Sequence, residues 1–265
     1  MINMEKKYFL LGDIHGDFKP VRDLYQRHPF TFNKTDNTLI LLGDAGLNFF
    51  FNHRDKEIKK KLGKYPFTYF VVRGNHEERP SICAEKNPDA WEQITEVNEH
   101  FVGTYWVEKE FPYIHYAMDY PSVYTINGYK TLVIPGAYSV DKWRRLQMDW
   151  SWFPKEQLTK EEMQIGLDLI EEHQNDFDLI LSHTCPIIYE PTDLFLSCVD
   201  QSMVEKDMER YLGQIEYMTN YRGWCWGHYH KFRDYPRTDG SFRTMLFNDY
   251  ALDLNEYMNG EINKL

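Results

Sequence analysis

Cysteine and long apolar runs are scarce in this sequence of 265 residues. The four cysteines form no CxxC pair or other metal-binding spacing, so we interpret them as reduced thiols. No segment approaches the roughly 20 apolar residues that a membrane span requires, and the start has no cleavable signal pattern. We therefore expect a cytoplasmic protein that does not enter a membrane.

Positive charge is also in short supply. Lysine and arginine total 30 against 41 acidic residues, which gives a formal net charge of −11 and a pI near 5.4. Long duplex nucleic acid is bound mainly through Lys and Arg, so this balance argues against such a partner, whereas a small anionic ligand held by metal remains compatible. No compositional break divides the chain, and we expect a single domain over residues 1–265.

Five short β-type runs end abruptly in Gly, Asp, Asn or His. They are YFLLGD (8–13), TLILLGD (38–44), TYFVVRGN (68–75), FDLILSH (177–183) and GWCWGH (223–228). Their nearly continuous apolar character predicts strands buried on both faces, and residues 17–28 and 158–174 have helical character. Asn127-Gly128 and Asp239-Gly240 predict hairpin turns, so we expect an α/β fold with mixed sheets.

The ends of these runs carry side chains that can bind a metal ion. Asp13 and His15 are two residues apart, so both can point to the same side of an extended chain. The others are Asp44, Asn75, His183, His228 and His230. Taken singly, each fits a turn or a hydrogen-bonded core residue. Their recurrence at five strand ends instead predicts a metal site of oxygen and nitrogen ligands, which leaves manganese, iron, zinc and nickel open.

The ordered series GDIHG, GDAG, GNHE, SH and GHYH, from residue 12 to residue 230, resembles the calcineurin-like metallophosphoesterase superfamily. The resemblance implies a four-layer α/β/β/α sandwich of two facing mixed β-sheets, with a dinuclear metal centre at the carboxyl ends of the strands. It assigns Asp13, His15 and His230 to one ion. It assigns Asn75, His183 and His228 to the other, with Asp44 bridging the two.

The resemblance also implies that His76 is the general acid toward the leaving-group oxygen. We expect Arg73 to bind substrate phosphate, although an ion pair with Glu77 or Glu78 fits its position equally well. Glu77 itself is expected to orient a metal ligand. The phosphoprotein phosphatase branch continues its second motif as GDxVDRG, whereas this chain has GDAGLN, with Leu47 in place of the aspartate that supports the catalytic histidine.

Residues 136–154 combine three tryptophans with two arginines, Arg144 and Arg145. Such a segment suits stacking of a base and binding of its phosphates, and Arg144 is our candidate for substrate binding there. The alternative is a tryptophan-rich loop that packs under the rim of the sandwich. Residues 49–64 are the other segment expected beside the metal centre. The remaining five histidines match no motif and receive no function.

These patterns predict a metal-dependent phosphoesterase. We expect it to use two divalent ions, manganese first, and to hydrolyse a small phosphomonoester or a nucleotide-type phosphoanhydride through a metal-bound hydroxide. The alternative is a phosphodiesterase acting on cyclic nucleotides, dinucleotides or nucleic-acid ends. A binding scaffold without catalysis is a third hypothesis, disfavoured because the ligand set and the GNH histidine are complete.

Overall fold

The computed structural model describes residues 6–28, 30, 33–236 and 238–265. Within them, the strands are β1 (Lys7–Leu11), β2 (Asn37–Leu42), β3 (Thr68–Val72), β4 (Trp91–Val97), β5 (Phe101–Glu108), β6 (Ile114–Tyr116), β7 (Ser122–Ile126), β8 (Tyr129–Ile134), β9 (Leu179–Ser182), β10 (Gly223–Trp226), β11 (Arg233–Pro236), β12 (Phe242–Met245) and β13 (Leu252–Asp253). The α-helices are α1 (Lys19–Arg27), α2 (His53–Leu62), α3 (Pro80–Lys86), α4 (Lys142–Gln147), α5 (Lys160–Glu172), α6 (Asp207–Met218) and α7 (Leu254–Met258). The predicted mixed α/β fold is confirmed.

Two blocks of parallel strands dominate the sheet. The first is β6-β3-β2-β1 and the second is β12-β10-β9-β8. Antiparallel pairings of β5 with β6 and β7, and of β7 with β8, join the blocks into one hydrogen-bonded path. The finer prediction of a sandwich of two separate sheets is not confirmed by this continuous path and stays a prediction.

The hairpins agree with the sequence patterns. Asn127 and Gly128 have φ of 51° and 83°, as a two-residue turn of the mirror-image type requires, and they join β7 to β8. The second predicted hairpin joins β11 to β12, with its turn at Asp239-Gly240; residue 237 within it lies outside the described residues. None of the helices in the described ranges combines the length and apolarity that crossing a bilayer needs.

Alternate residues of the buried strands belong to different hydrophobic clusters. In β1, Phe9 and Leu11 pack in a cluster with Val21 and Leu24 of α1, whereas Leu10 belongs to a second cluster. That second cluster also contains residues of β8, β9 and β10, among them Val133, Leu181 and Cys225. A third cluster packs the other faces of β8–β10 against α5 and α6. Both faces of the parallel strands are therefore covered, which explains their continuous apolar sequence.

Candidate metal centre

The carboxyl ends of β1, β2, β3, β9 and β10 meet at one region of the molecule. Each end is followed directly by one of the sequence motifs, so residues more than 200 positions apart come within hydrogen-bonding distance. Parallel strands bring these ends together, which is where open α/β sheets bind ligands. All seven side chains predicted to bind metal lie in this region, and so does His76.

One group of potential ligands consists of Asp13, His15 and His230. Their ligand atoms all lie within 4.8 Å of one another. Nε2 of His15 is 2.9 Å from Nε2 of His230, and Oδ2 of Asp13 is 3.4 Å from Nε2 of His230. Oδ1 of Asp13 accepts a hydrogen bond from the backbone N–H of His228 at 2.9 Å, while its Oδ2 is buried and has no hydrogen-bond partner. Asp13 is thus fixed by one oxygen and directs the other toward both imidazoles.

A second group surrounds the fully buried His183. Its Nδ1 donates to the backbone carbonyl of Leu42 at 2.8 Å, which turns Nε2 toward Oδ1 of Asn75 at 2.9 Å and Oδ1 of Asp44 at 3.6 Å. The ring of His228 lies 5.0 Å from that of His183. Oδ1 of Asp44 also accepts the backbone N–H of His76 at 2.8 Å. Asp44 therefore lies between the two groups and connects their loops.

The backbone is strained at these loops. His15, Asp44, His228 and His230 have φ of 47°, 46°, 71° and 52°, in the left-handed region that residues with a side chain seldom adopt. Such conformations cost on the order of 1–3 kcal/mol each and concentrate at functional sites, where the surrounding structure enforces them. Four potential ligands thus have a backbone conformation that is typical of functional sites.

Glycines beside the ligands leave room for side chains from other motifs. A Cβ at Gly74 would lie 2.0 Å from Oδ1 of Asp44, and a Cβ at Gly227 would lie 2.2 Å from Oδ1 of Asp13. Real Cβ atoms do not approach so closely, so neither position accepts a larger residue without displacing a carboxylate. The glycines of GNHE and GHYH are therefore required by ligands that belong to the other motifs.

A cavity of about 500 Å³ opens above the two groups. His15, Asp44, Asn75, His228 and His230 line it, whereas Asp13 and His183 lie buried beneath. His76 also lines it, with Nε2 3.9 Å from Oδ2 of Asp44. A substrate in the cavity would therefore meet the potential metal ligands and His76 together.

The sequence profile of the calcineurin-like phosphoesterase family matches residues 6–232, most of the chain. The protein belongs to the calcineurin-like phosphoesterase family. It is therefore a hydrolase that acts on phosphoric ester bonds. No curated protein sequence matches the chain significantly.

The solved structures that the chain matches are distant from it in sequence. The protein TT1561 of Thermus thermophilus aligns over 95% of both chains with a TM-score of 0.52 and 13% identity. A dimetal phosphatase from Danio rerio aligns over 95% of this chain and 96% of its own, with a TM-score of 0.49 and 10% identity. The similarity to TT1561 shows that this chain has the same fold as that protein.

The charges at the centre suit cations. Burial lowers the pKa of His15 and of His228, so both imidazoles are neutral at pH 7 and offer a nitrogen lone pair. Burial also disfavours the charged form of His183, but the neighbouring Asp44 carboxylate outweighs it and raises the pKa of His183 to about 9. A proton on Nε2 of His183 thus occupies the place between Asn75 and Asp44 that a metal ion would take. With the orphaned Oδ2 of Asp13, these donors fit the two ions on which the family depends.

Two residues that hold Asn75 escaped sequence analysis. Nδ2 of Asn75 donates to Oγ of Ser139 at 2.9 Å, and Ser139 Oγ donates to Oε2 of Glu156 at 2.5 Å. Oε1 of Glu156 accepts the backbone N–H of Ser139 at 3.0 Å. This buried chain directs the amide oxygen of Asn75 toward His183. Glu156 lies outside every motif, and nothing in the sequence distinguishes it from a surface glutamate.

Glu77 connects two motif loops from within the core. Its Oε1 accepts the backbone N–H groups of Gly74 and Ala45, each at 3.2 Å. Burial, with the Asp44 charge nearby, raises the pKa of Glu77 to about 7. Glu77 thus holds the loops that present Asp44 and Asn75. Leu47, which replaces an aspartate of the phosphoprotein phosphatases, is fully buried in the core.

The two arginines predicted to bind substrate do not reach the cavity. Arg73 is buried, and its Nη1 donates to the backbone carbonyls of Gly74 at 3.0 Å and Glu156 at 2.8 Å. Its nearest carboxylate is Asp119, with Nε and Oδ1 3.7 Å apart, rather than the expected Glu77 or Glu78. The guanidinium of Arg144 lies 5.6 Å from the ring centre of Trp150. Their substrate roles stay predictions, and among the described residues it is Arg145 that lines the cavity.

Proposed function

We propose that this protein is a dinuclear-metal-dependent phosphoesterase that hydrolyses small phosphomonoesters. The observation that carries the proposal is the meeting of two groups of carboxylate, amide and imidazole ligands beside His76 at one cavity. Ligand groups of this composition suit divalent ions of intermediate softness, and their adjacency suits a pair of ions that share a bridging carboxylate. A scaffold without catalysis is disfavoured because the ligand set and His76 are all present at the cavity.

In this proposal Asp13, His15 and His230 would hold one ion, Asn75, His183 and His228 would hold the other, and Asp44 would be shared by both. Two divalent cations held there would supply Lewis-acid chemistry for the phosphoryl group and for a water molecule. Manganese is the first ion to test, followed by iron, zinc and nickel, because oxygen and nitrogen ligands without thiolate are compatible with all four.

His76 handles the proton of the leaving group. Its imidazole lines the cavity and is not one of the candidate metal ligands. The backbone N–H of His76 donates to Oδ1 of Asp44, which fixes the position of the residue. Burial lowers the pKa of His76, while the Asp44 charge opposes that effect. Once protonated, an imidazole in this position can donate its proton to the departing oxygen and regain one from water for the next turnover.

We also propose that the two parallel blocks of the sheet work as facing halves of a sandwich. Support comes from the hydrophobic cluster that contains Leu10 and Ile40 of one block together with Leu181 and Cys225 of the other. A cytoplasmic location and a phosphorylated small molecule as partner remain part of the same hypothesis.

The test is release of para-nitrophenolate from para-nitrophenyl phosphate and from bis-para-nitrophenyl phosphate, with manganese present. We expect the wild type to cleave the monoester and Asp44→Asn to lose at least about a hundredfold in rate, because the carboxylate between the two ligand groups is gone. Asp89 is exposed and is not part of the cavity lining, so Asp89→Asn is the matched control and should keep the wild-type rate. Equal rates for the wild type and Asp44→Asn would refute the proposal, and cleavage of the diester alone would favour a phosphodiesterase.

A further inference from the structure

The walls of the cavity differ from its floor. Above the histidines, three segments supply mainly apolar side chains: residues 49–50 after the second motif, 138–140 after β8, and 194–204 before α6. Apolar or aromatic residues at the wall include Phe49, Phe50, Tyr138, Val140, Phe195 and Leu196. At about 500 Å³ the cavity has the size of sites for small organic molecules. A phosphoryl group at the floor would leave most of this wall uncovered.

The cations at the wall are already paired. Nε of Arg145 is 2.7 Å from Oδ1 of Asp141, and Nζ of Lys206 is 2.6 Å from Oε1 of Glu190. Glu205 adds a further carboxylate to the lining. Among the described residues that line the cavity, positive charge is therefore not in surplus, and a second or third phosphate would find acidic groups in place of the arginines and lysines that bind phosphate chains.

Part of the wall exposes apolar surface to water. Leu196 is 57% exposed and Val140 is 40% exposed, although both line the cavity. Contiguous apolar surface around a binding site marks contact with an apolar ligand, because covering it removes hydrocarbon from water. The same wall would penalise a strongly polar leaving group, whose hydrogen bonds to water would be lost without replacement.

We propose that the natural substrate is a singly phosphorylated ester whose alcohol part is uncharged and largely apolar, an alkyl or aryl group that packs on this wall. The inference rests on the proposed phosphoesterase function and narrows it, since it disfavours nucleotide-type phosphoanhydrides. Hydrolysis adds water across the P–O bond, so the products are inorganic phosphate and the apolar alcohol, which takes up the proton on its oxygen.

The test compares phosphate release from n-alkyl phosphates, from ethyl to octyl, below the concentrations at which they form micelles. Glycerol phosphate and a nucleoside triphosphate are the polar comparators, all with manganese. Each buried methylene contributes up to about fourfold in kcat/KM, so we expect a steep rise along the series and octyl phosphate well above both comparators.

A pair of variants ties the preference to the wall. Leu196→Ser should lower the octyl-to-ethyl ratio of kcat/KM at least about threefold, because it removes apolar surface from the cavity. Met203→Ser is the matched control: it changes a 66% exposed apolar residue of the same segment that is not part of the lining, and the ratio should stay at the wild-type value. Both positions are at least half exposed, so neither change should threaten folding.

The outcomes separate the inference from the function beneath it. A flat chain-length profile, or faster release from the triphosphate or glycerol phosphate than from octyl phosphate, would overturn the apolar substrate and leave the phosphoesterase intact. Equal ratios in Leu196→Ser and Met203→Ser would also overturn it. No release from any ester with manganese, or with iron, zinc or nickel in its place, would reject the proposed function itself.

Discussion

Asn75 and His76 are adjacent in sequence but point to different tasks. The amide of Asn75 is fixed by Ser139 and faces His183, while the ring of His76 lies on the cavity side of Asp44. Adjacent residues at a strand end diverge, so one motif can serve a ligand group and a proton donor together. The sequence singled out the motif residues that meet here, and their division between two ions stays a prediction. The inward direction of Arg73 could not be predicted, because the carbonyls that it binds come from distant segments.

Two esters with different leaving groups test whether His76 donates the proton. If His76 protonates the departing oxygen, His76→Asn should slow hydrolysis of an alkyl phosphate by about 10²–10⁴-fold. It should slow para-nitrophenyl phosphate much less, because nitrophenolate leaves without a proton. Steady-state rates on the two esters measure the difference. A loss of the same size on both esters would point to a structural role instead.

Ser139 is predicted to act through Asn75. Removing its hydroxyl frees the amide of Asn75 to rotate, so Ser139→Ala should weaken metal binding by about 10–100-fold, as loss of groups that orient ligands does. Metal competition with a chromophoric chelator gives the affinity. Ser139→Thr keeps the hydroxyl and serves as the control, with affinity close to wild type. An unchanged affinity in Ser139→Ala would show that Asn75 needs no support.

The strand-end loops are the elements on which the site depends. Sequence patterns predicted β1, β2, β3, β9 and β10, the helices α1 and α5, and the hairpin at Asn127-Gly128, because buried strands and turns impose local patterns. They did not predict β4, β5 or α6. The link between loops escaped prediction. Glu77 bonds to one residue of its own loop and one of the preceding loop, and a contact across 32 residues leaves no local pattern.

Glu77 gives a pH-dependent prediction. Its folded pKa of about 7 exceeds the ordinary value of 4.5, so the folded state binds the proton more tightly. Stability from this group is present below pH 4.5 and is lost as the pH rises toward 7. With chelator present, Glu77→Gln should therefore gain about 2 kcal/mol on the wild type between pH 5 and pH 7. Urea unfolding at both pH values measures this gap.

Glu77→Ala provides the contrast. It leaves the N–H groups of Gly74 and Ala45 without an acceptor, which costs about 1–3 kcal/mol for each buried group. This variant should be less stable than Glu77→Gln at every pH tested. A constant difference between wild type and Glu77→Gln from pH 5 to pH 7 would contradict the buried, proton-binding state of Glu77.

The candidate centre draws its residues from most of the sequence. Its residues run from Asp13 to His230, and they come from both parallel blocks of the sheet. The sequence indicated that distant segments meet here, because the five motifs occur in the order typical of the family. It also indicated the α/β composition. It did not disclose the apolar wall of the cavity, because residues 194–204 have no regular periodicity and their meeting with residues 138–140 depends on the tertiary fold.

Metal bound between the two blocks should stabilise the entire fold. Ions that bind the folded state at a hundred times their Kd contribute about 2.7 kcal/mol each. For a chain of this size, each ion therefore raises the Tm by roughly 5–10 °C. Thermal unfolding with manganese and with excess chelator measures the shift, and Asp44→Asn should show a clearly smaller one. Identical Tm values in manganese and chelator would mean that the folded state does not bind the ion.

The most direct test of the central claim is the metal content of the purified protein, measured together with its hydrolysis of para-nitrophenyl phosphate as manganese is added back to chelator-treated enzyme. The account predicts two ions per chain at saturation, with activity rising as the second site fills, and neither full occupancy nor full activity in Asp44→Asn. Full activity in the chelator-treated wild type would contradict the account. Full activity in Asp44→Asn without a bound ion would also contradict it.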